Sequence, residues 1–138
     1  MYTVSYIKKR TYEKYDESHF LLYLNEQETE ITKTSETLGE GEGSENQTSE
    51  TVPGYSYTGT MPDGGTLVEV KEDSYGNFVS GLIRTRYPAA DVEALQGNMI
   101  IAVSNPKNER AEDYKQDWDE FQSFRNDCKK GIKKLLGL

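Results

Sequence analysis

The sequence predicts an α+β fold, with a small antiparallel β region in the N-terminal half followed by two or three amphipathic helices. Three observations predict it. Before residue 35 the apolar residues alternate or fall in short blocks, residues 62–65 carry defined turn chemistry, and from residue 74 the apolar period becomes that of a helix. Strands grouped ahead of helices favour segregated layers over an alternating α/β order.

The β region opens on "YTVSYI", residues 2–7, where period two puts Tyr2, Val4 and Tyr6 on one face. "HFLLYL", residues 19–24, is a short apolar block with polar flanks. It reads as a strand buried on both faces, because a helix of that length has too few hydrogen bonds to offset its nucleation. "TEITKT" extends the sheet with Ile31 inward, which gives an N-terminal β segment over 1–34. Residues 35–54 then read as an acidic flexible loop. From Ser35 to Thr51 the only large apolar residue is Leu38, too little to offset the entropy of ordering. That stretch is expected to be disordered in the free protein and to lie on a neighbouring subunit in an assembly. Pro62-Asp63-Gly64-Gly65 is a turn, flanked by "YSYTG" and "TLVEV", and predicts a β-hairpin over 55–70 with Tyr55 and Tyr57 sharing a face.

The helical region spans 74–138. Tyr75, Phe78, Val79, Leu82 and Ile83 recur at helical spacing behind Asp73 or Ser74 as N-cap, and Pro88 ends that helix. Val92, Leu95, Met99 and Val103 define a second helix, softened at Gly97-Asn98 and ended at Asn105-Pro106. In the third, Ala111, Tyr114, Trp118, Phe121, Arg125, Cys128, Ile132 and Leu135 alternate steps of three and four, a heptad seam with one charged member. Acids crowd its first half and lysines its last turns, the order that the helix macrodipole favours.

Composition narrows the function. The 138 residues carry a formal net charge of −8, which repels a phosphate backbone and argues against nucleic acid as a partner. Mean hydropathy is −0.82 and the apolar fraction 34%, while ten tyrosines supply large amphipathic rings. The thin apolar content suits a modest core plus protein contacts, with Tyr and Trp as the usual anchors. Cys128 is the single cysteine, so no disulfide closes within the chain. Neither a signal peptide nor a membrane span is expected from the apolar runs. His19 has no nucleophile beside it in sequence, and Asp117, Asp119 and Glu120 lack the glycine and spacing of a calcium loop. "GEGEGSENQ" has no lysine and no following helix, so it is not a phosphate loop. No catalytic set, cofactor or metal is expected.

"NFVSGLIRTRYPAADVEAL", Asn77 to Leu95, followed by "DYKQDWDEFQSFRNDCKKGIKKLL", resembles small proteins encoded in the tail region of bacteriophages and prophages. In those, an F-V-x-x-L-I-R segment precedes an aromatic-rich helix, matched here by Trp118, Phe121, Phe124, Arg125, Cys128 and Lys129. The resemblance covers roughly residues 75–136, with Pro88 where the pattern has serine. It implies a non-enzymatic tail, baseplate or fibre-associated protein, or a tail-assembly chaperone, found in the virion or in the host cytoplasm during assembly. Its partner would be a larger tail, baseplate or fibre protein, with a homo-oligomer also open. The candidate partner-binding residues are Tyr55, Tyr57, Tyr114, Trp118, Phe121, Phe124 and Arg125, with Trp118 and Phe121 expected at the centre of a helix–helix contact. The alternative reading is a small acidic host-takeover or inhibitor protein, a DNA mimic or enzyme blocker. Lysines interleaved with the acids weigh against a mimic.

Overall fold

The computed structural model describes residues 1–35 and 48–138. Among them the chain runs β1 (Tyr2–Tyr6), β2 (Tyr12–Lys14), β3 (His19–Leu22), β4 (Gln27–Ser35), β5 (Thr48–Gly59), β6 (Thr66–Glu69), α1 (Tyr75–Arg84), α2 (Ala89–Ser104) and α3 (Ala111–Leu136). The strands form two three-stranded antiparallel sheets, ordered β1-β5-β4 and β2-β3-β6, and the three helices follow: an α+β fold. Contacts group the chain into two units, Met1–Tyr12 with Leu22–Leu67, and Glu13–Leu21 with Val68–Leu138. The expected N-terminal segment 1–34 is therefore divided, and residues 13–21 go with the helices. The reason lies in "HFLL", whose consecutive apolar side chains need cover on both faces. Phe20 finds part of it on Phe78 of α1, the two rings 5.4 Å apart edge to face.

In the first unit β5 is the central strand. β1 pairs with it from Tyr2↔Gly59 to Tyr6↔Tyr55, and β4 from Gln27↔Ser56 to Ser35↔Thr48. Threonines, with Ile31 opposite Val52, supply the β preference of the long β4–β5 ladder. Pro53, opposite Glu30, lies beyond the last β1 partner, so the residue without an N–H falls where β5 has a single neighbour. Two expectations change here. The loop foreseen over 35–54 is strand at both described ends, Ser35 in β4 and Thr48–Gly54 in β5. Backbone pairing supplies there the order that side-chain burial could not. Residues 36–47, and the disorder expected of them, lie outside the described residues. The hairpin over 55–70 also gives way, since β5 and β6 belong to different sheets. β5 has no edge to spare: Tyr55 and Ser56 have partners on both sides, and the Thr58 N–H donates to the Leu24 carbonyl. The turn itself is present. The Met61 N–H donates to the Gly65 carbonyl at 2.8 Å, and the Asp63 carboxylate accepts from the Gly65 N–H at 2.9 Å.

In the second unit the Ser74 hydroxyl caps α1 by accepting from the Asn77 N–H at 3.2 Å. Phe78 and Val79 are buried. Gly81, which weakens the helix by propensity, faces the end of β6 and the residue after it at close range. A Cβ built there would stand 2.7 Å from a Val70 methyl carbon and 3.3 Å from Val68 Cβ. α3 packs against both α1 and α2. Its seam is as the periodicity predicts, with Ala111, Phe121, Cys128, Ile132 and Leu135 buried and Tyr114, Trp118 and Arg125 half-buried. Glu112 and Asp113 occupy its first turn and Lys133 and Lys134 its last, ahead of a left-handed Gly137 cap.

Candidate interaction surfaces

Pro88 starts α2, because a fixed φ of −59° suits a helix entrance and its carbonyl accepts from Asp91 and Val92. The helix runs unbroken through Gly97-Asn98 to Ser104. Val92, Leu95 and Met99 are half-buried and Ala102 is fully buried, so steps of three, four and three lay one stripe inward. Val103, expected on that stripe, is 65% exposed. At 100° per residue it lies off the line that Ala102 completes. Ile100 is 66% and Ile101 43% exposed, so the C-terminal half of α2 is apolar on its outer side as well. The Ser104 hydroxyl donates back to the Ile100 carbonyl at 2.6 Å, which removes a polar group from the same face.

The residues singled out in the sequence fall into two groups. Tyr57, 0% exposed, and Phe121, 4% exposed, are core side chains and not accessible anchors. Tyr55, Tyr114, Trp118, Phe124 and Arg125 are half-buried. Phe121 packs on the connection between α1 and α2, its ring 5.1 Å from Tyr87, and on Trp118 of its own helix at 5.6 Å. Phe124 stacks 5.5 Å from Tyr87, and the Arg86 guanidinium covers Phe124 at 5.1 Å. Ile100, Ile101 and Val103 were not among the expected contact residues. The signal was available in "NMIIAV", whose run of apolar residues cannot all face one side of a helix.

The first unit holds a tyrosine cluster with the outward form of a reactive site. Tyr6, Tyr23 and Tyr57 meet at 5.7–6.3 Å between ring centres, and the Arg10 guanidinium lies 4.5 Å from Tyr6 and 4.6 Å from Tyr23. Its chemistry points the other way. The Tyr57 hydroxyl donates to Glu26 at 2.7 Å and accepts from the Arg10 N–H at 2.8 Å. Burial, with Glu26 adding to it, pushes the phenol up to about 12. A proton-transfer tyrosine needs the opposite shift. The cluster is a pin: Tyr23 donates to the Asp63 carboxylate at 2.8 Å and Tyr6 to the Asp63 carbonyl, tying the 62–65 turn to the strands. Tyr57→Phe should cost about 1–3 kcal/mol, because it leaves the Arg10 N–H and Glu26 short of a partner while keeping the ring. Urea unfolding checks it.

Cys128 is 3% exposed, and burial, then Asp127, pushes its thiol up to about 11. It should resist a disulfide reagent in the native protein and react at once in denaturant. Both Tyr57 and Cys128 hold their protons more tightly when folded. Their contribution is complete below the unfolded values of 10.0 and 9.0 and is lost as pH rises toward about 12 and about 11. Stability should therefore fall above pH 9, and Cys128→Ala should flatten the earlier part of that decline.

His19 is occupied by Asp16, with Nδ1 2.9 Å from Oδ1. The Ser18 N–H and then His19 hold the Asp16 carboxyl below its usual value. A shallow cleft in the second unit is lined by Ser18, Glu69, Val70, Lys71, Asn77, Ser80 and Arg84. Arg84 there donates to the Glu69 carbonyl. Compared with known proteins, the chain matches no family model, no curated protein and no solved structure. Among the described residues, no group of three or more His, Cys, Asp or Glu is placed to hold a metal ion. Among the same residues, no helix is long and apolar enough to cross a membrane.

Proposed function

We propose that this is a non-enzymatic interaction protein of the phage-tail class, a structural component or assembly factor that works through protein–protein contacts. The observation that carries the contact reading is the exposed apolar arc at the end of α2, where Ile100 stands in solvent between Val103 on one side and Ile101 on the other. Scattered exposed apolar residues are ordinary, whereas grouped ones mark a surface that another protein covers. The tail class rests on the sequence resemblance over residues 75–136. The reactive-looking groups support a non-catalytic role, because the Tyr57 phenol and Cys128 thiol are both held protonated.

Ile100→Glu is the direct test. The side chain is mostly exposed, so the variant should fold with an unchanged helical signal. Produced during phage growth, it should drop out of the tail particles or tail subunits with which the wild-type protein co-purifies. Undiminished co-purification would overturn the α2 surface as the contact, and wild-type protein found with neither particles nor subunits would overturn the tail class.

A further inference from the structure

We propose that the first unit carries a docking site for an extended acidic segment of a partner protein, with an apolar side chain of that segment seated between Ile7 and Ile31 and its carboxylates against Lys8. The inference goes beyond the contact reading of α2 and stands on other residues, so either can fail without the other.

The site follows from the sheet register. Ser5 stands opposite Ser56, and Ser56 opposite Gln27. Successive side chains of a strand point to opposite faces. Thr29, Ile31, Val52 and Gly54 therefore share the face of Ser5, whereas Glu28, Glu30, Tyr55 and Tyr57 point to the other, where the tyrosine pin lies. On the Ser5 face Gly54 supplies no side chain. A Cβ built there would stand 2.8 Å from Ile31 Cγ1 and 2.9 Å from the Tyr6 carbonyl oxygen, so Ile31 leans over bare backbone toward the end of β1. β1 ends at Tyr6, and beside that end lies a hollow of about 460 Å³ lined by Ser5, Tyr6, Ile7, Lys8, Arg10 and Ile31. Ile7 is 46% exposed, and Ile31 and Val52 are half-buried.

Charge names the occupant. Lys8, Lys9 and Arg10 follow in succession, with no acid before Glu13, in a chain whose net charge is −8. Lys9 lies 3.6 Å from Glu26, and Arg10 covers the Tyr6 and Tyr23 rings. Lys8 is exposed and joins no ion pair among the described residues. An apolar centre with a charged rim is the anatomy of a protein docking site, and the positive sign of this rim selects an acidic partner. The strand edge favours an extended one. Beyond Tyr55, β5 has β4 as its neighbour and no residue of β1, so a chain leaving the hollow in line with β1 runs along an open edge. Pro53 can offer that chain only its carbonyl, which leaves the side-chain contacts to carry most of the affinity.

Heteronuclear NMR of the full chain, titrated with the peptide Glu-Asp-Leu-Asp-Glu, reads the site. Amide shifts should saturate below millimolar peptide and centre on residues 5–10 and 29–31. The peptide Glu-Asp-Ser-Asp-Glu, which lacks the anchor, should bind about tenfold more weakly, and Lys-Lys-Leu-Lys-Lys should shift nothing there. Ile7→Ser should lower the affinity about tenfold and Lys8→Glu about fivefold. Both side chains are exposed, so each variant should keep the wild-type thermal midpoint. Lys9 stays in place because its partner Glu26 also accepts from Tyr57. Absence of saturable shifts, shifts centred elsewhere, equal binding of the serine or lysine peptide, or an Ile7→Ser protein that binds as wild type does overturns the proposal. So does wild-type protein that ignores the acidic peptide yet sediments with phosphatidylserine vesicles, which would make the hollow a lipid site. None of these outcomes bears on the Ile100→Glu test of α2.

Discussion

Replacing Phe78 by alanine should lower the stability of the protein by about 3–5 kcal/mol, the range for deleting a fully buried aromatic ring. Phe78 is 0% exposed on α1, and its ring takes the edge of Phe20 from β3. Truncation loses the ring's transfer energy and leaves a void that the fixed strand and helix cannot close. Against a usual total of roughly 5–15 kcal/mol for a domain, that loss would leave a large unfolded fraction at body temperature. Phe78→Leu keeps most of the volume and should cost about half as much or less. Thermal unfolding of the two variants checks the ranking, and equal midpoints would show that the pair does not anchor β3.

Gly59→Ala should cost about 3 kcal/mol, the upper part of the range for overpacking. The last residue of β5 runs under the 62–65 turn. A Cβ there would stand 2.5 Å from the Gly65 carbonyl carbon and 2.6 Å from the Gly64 oxygen. These are backbone atoms, so no rotamer change relieves the overlap, and the turn held by Asp63 would have to lift. Gly76→Ala is the matched control. It lies in α1 with nothing within 4 Å of a built Cβ, and alanine should stabilise it by about 0.5–1 kcal/mol. A Gly59→Ala protein as stable as wild type would show that the turn is not seated on β5.

Helical order was the most legible part of this sequence, because burial of a heptad seam repeats often enough to outweigh single exceptions. All five buried residues of α3 belong to the seam read from spacing. Even Arg125 fits, half-buried with its guanidinium 3.5 Å from Gln122, as a long side chain whose stem packs and whose head reaches out. α2 was less legible. With Met99, Ile100, Ile101, Ala102 and Val103 in succession, apolar identity alone does not say which residues face inward, and small Ala102 took the place assigned to Val103. Sheet pairing was the least legible. The turn at 62–65 was correctly read, but a turn fixes a change of direction and not a partner. Whether Tyr55–Gly59 pairs with Thr66–Glu69 depends on β1 and β4, far away in sequence, reaching that strand too. The candidate contact residues divided for the same reason. Aromatic identity marks both cores and interfaces, so Tyr57 and Phe121 carried the same signal inside as Trp118 does at the rim.

The division of the chain has a consequence for the order of its synthesis. The peptide passes from one unit to the other at residues 12, 21 and 67, so neither unit is a continuous stretch. β1 leaves the ribosome first, yet its pairing partners end at Gly59, and β3 waits for β6, which is complete only at Glu69. The chain must therefore be made through Gly59 before the first sheet can close and through Glu69 before the second, and such distant pairings fold slowly. Meanwhile Phe20, Leu21, Leu22 and Tyr23, all buried in the finished protein, emerge early and uncovered. A nascent chain of about this length is a natural client for a holding chaperone. The helices, built from neighbouring residues, come last and close fast.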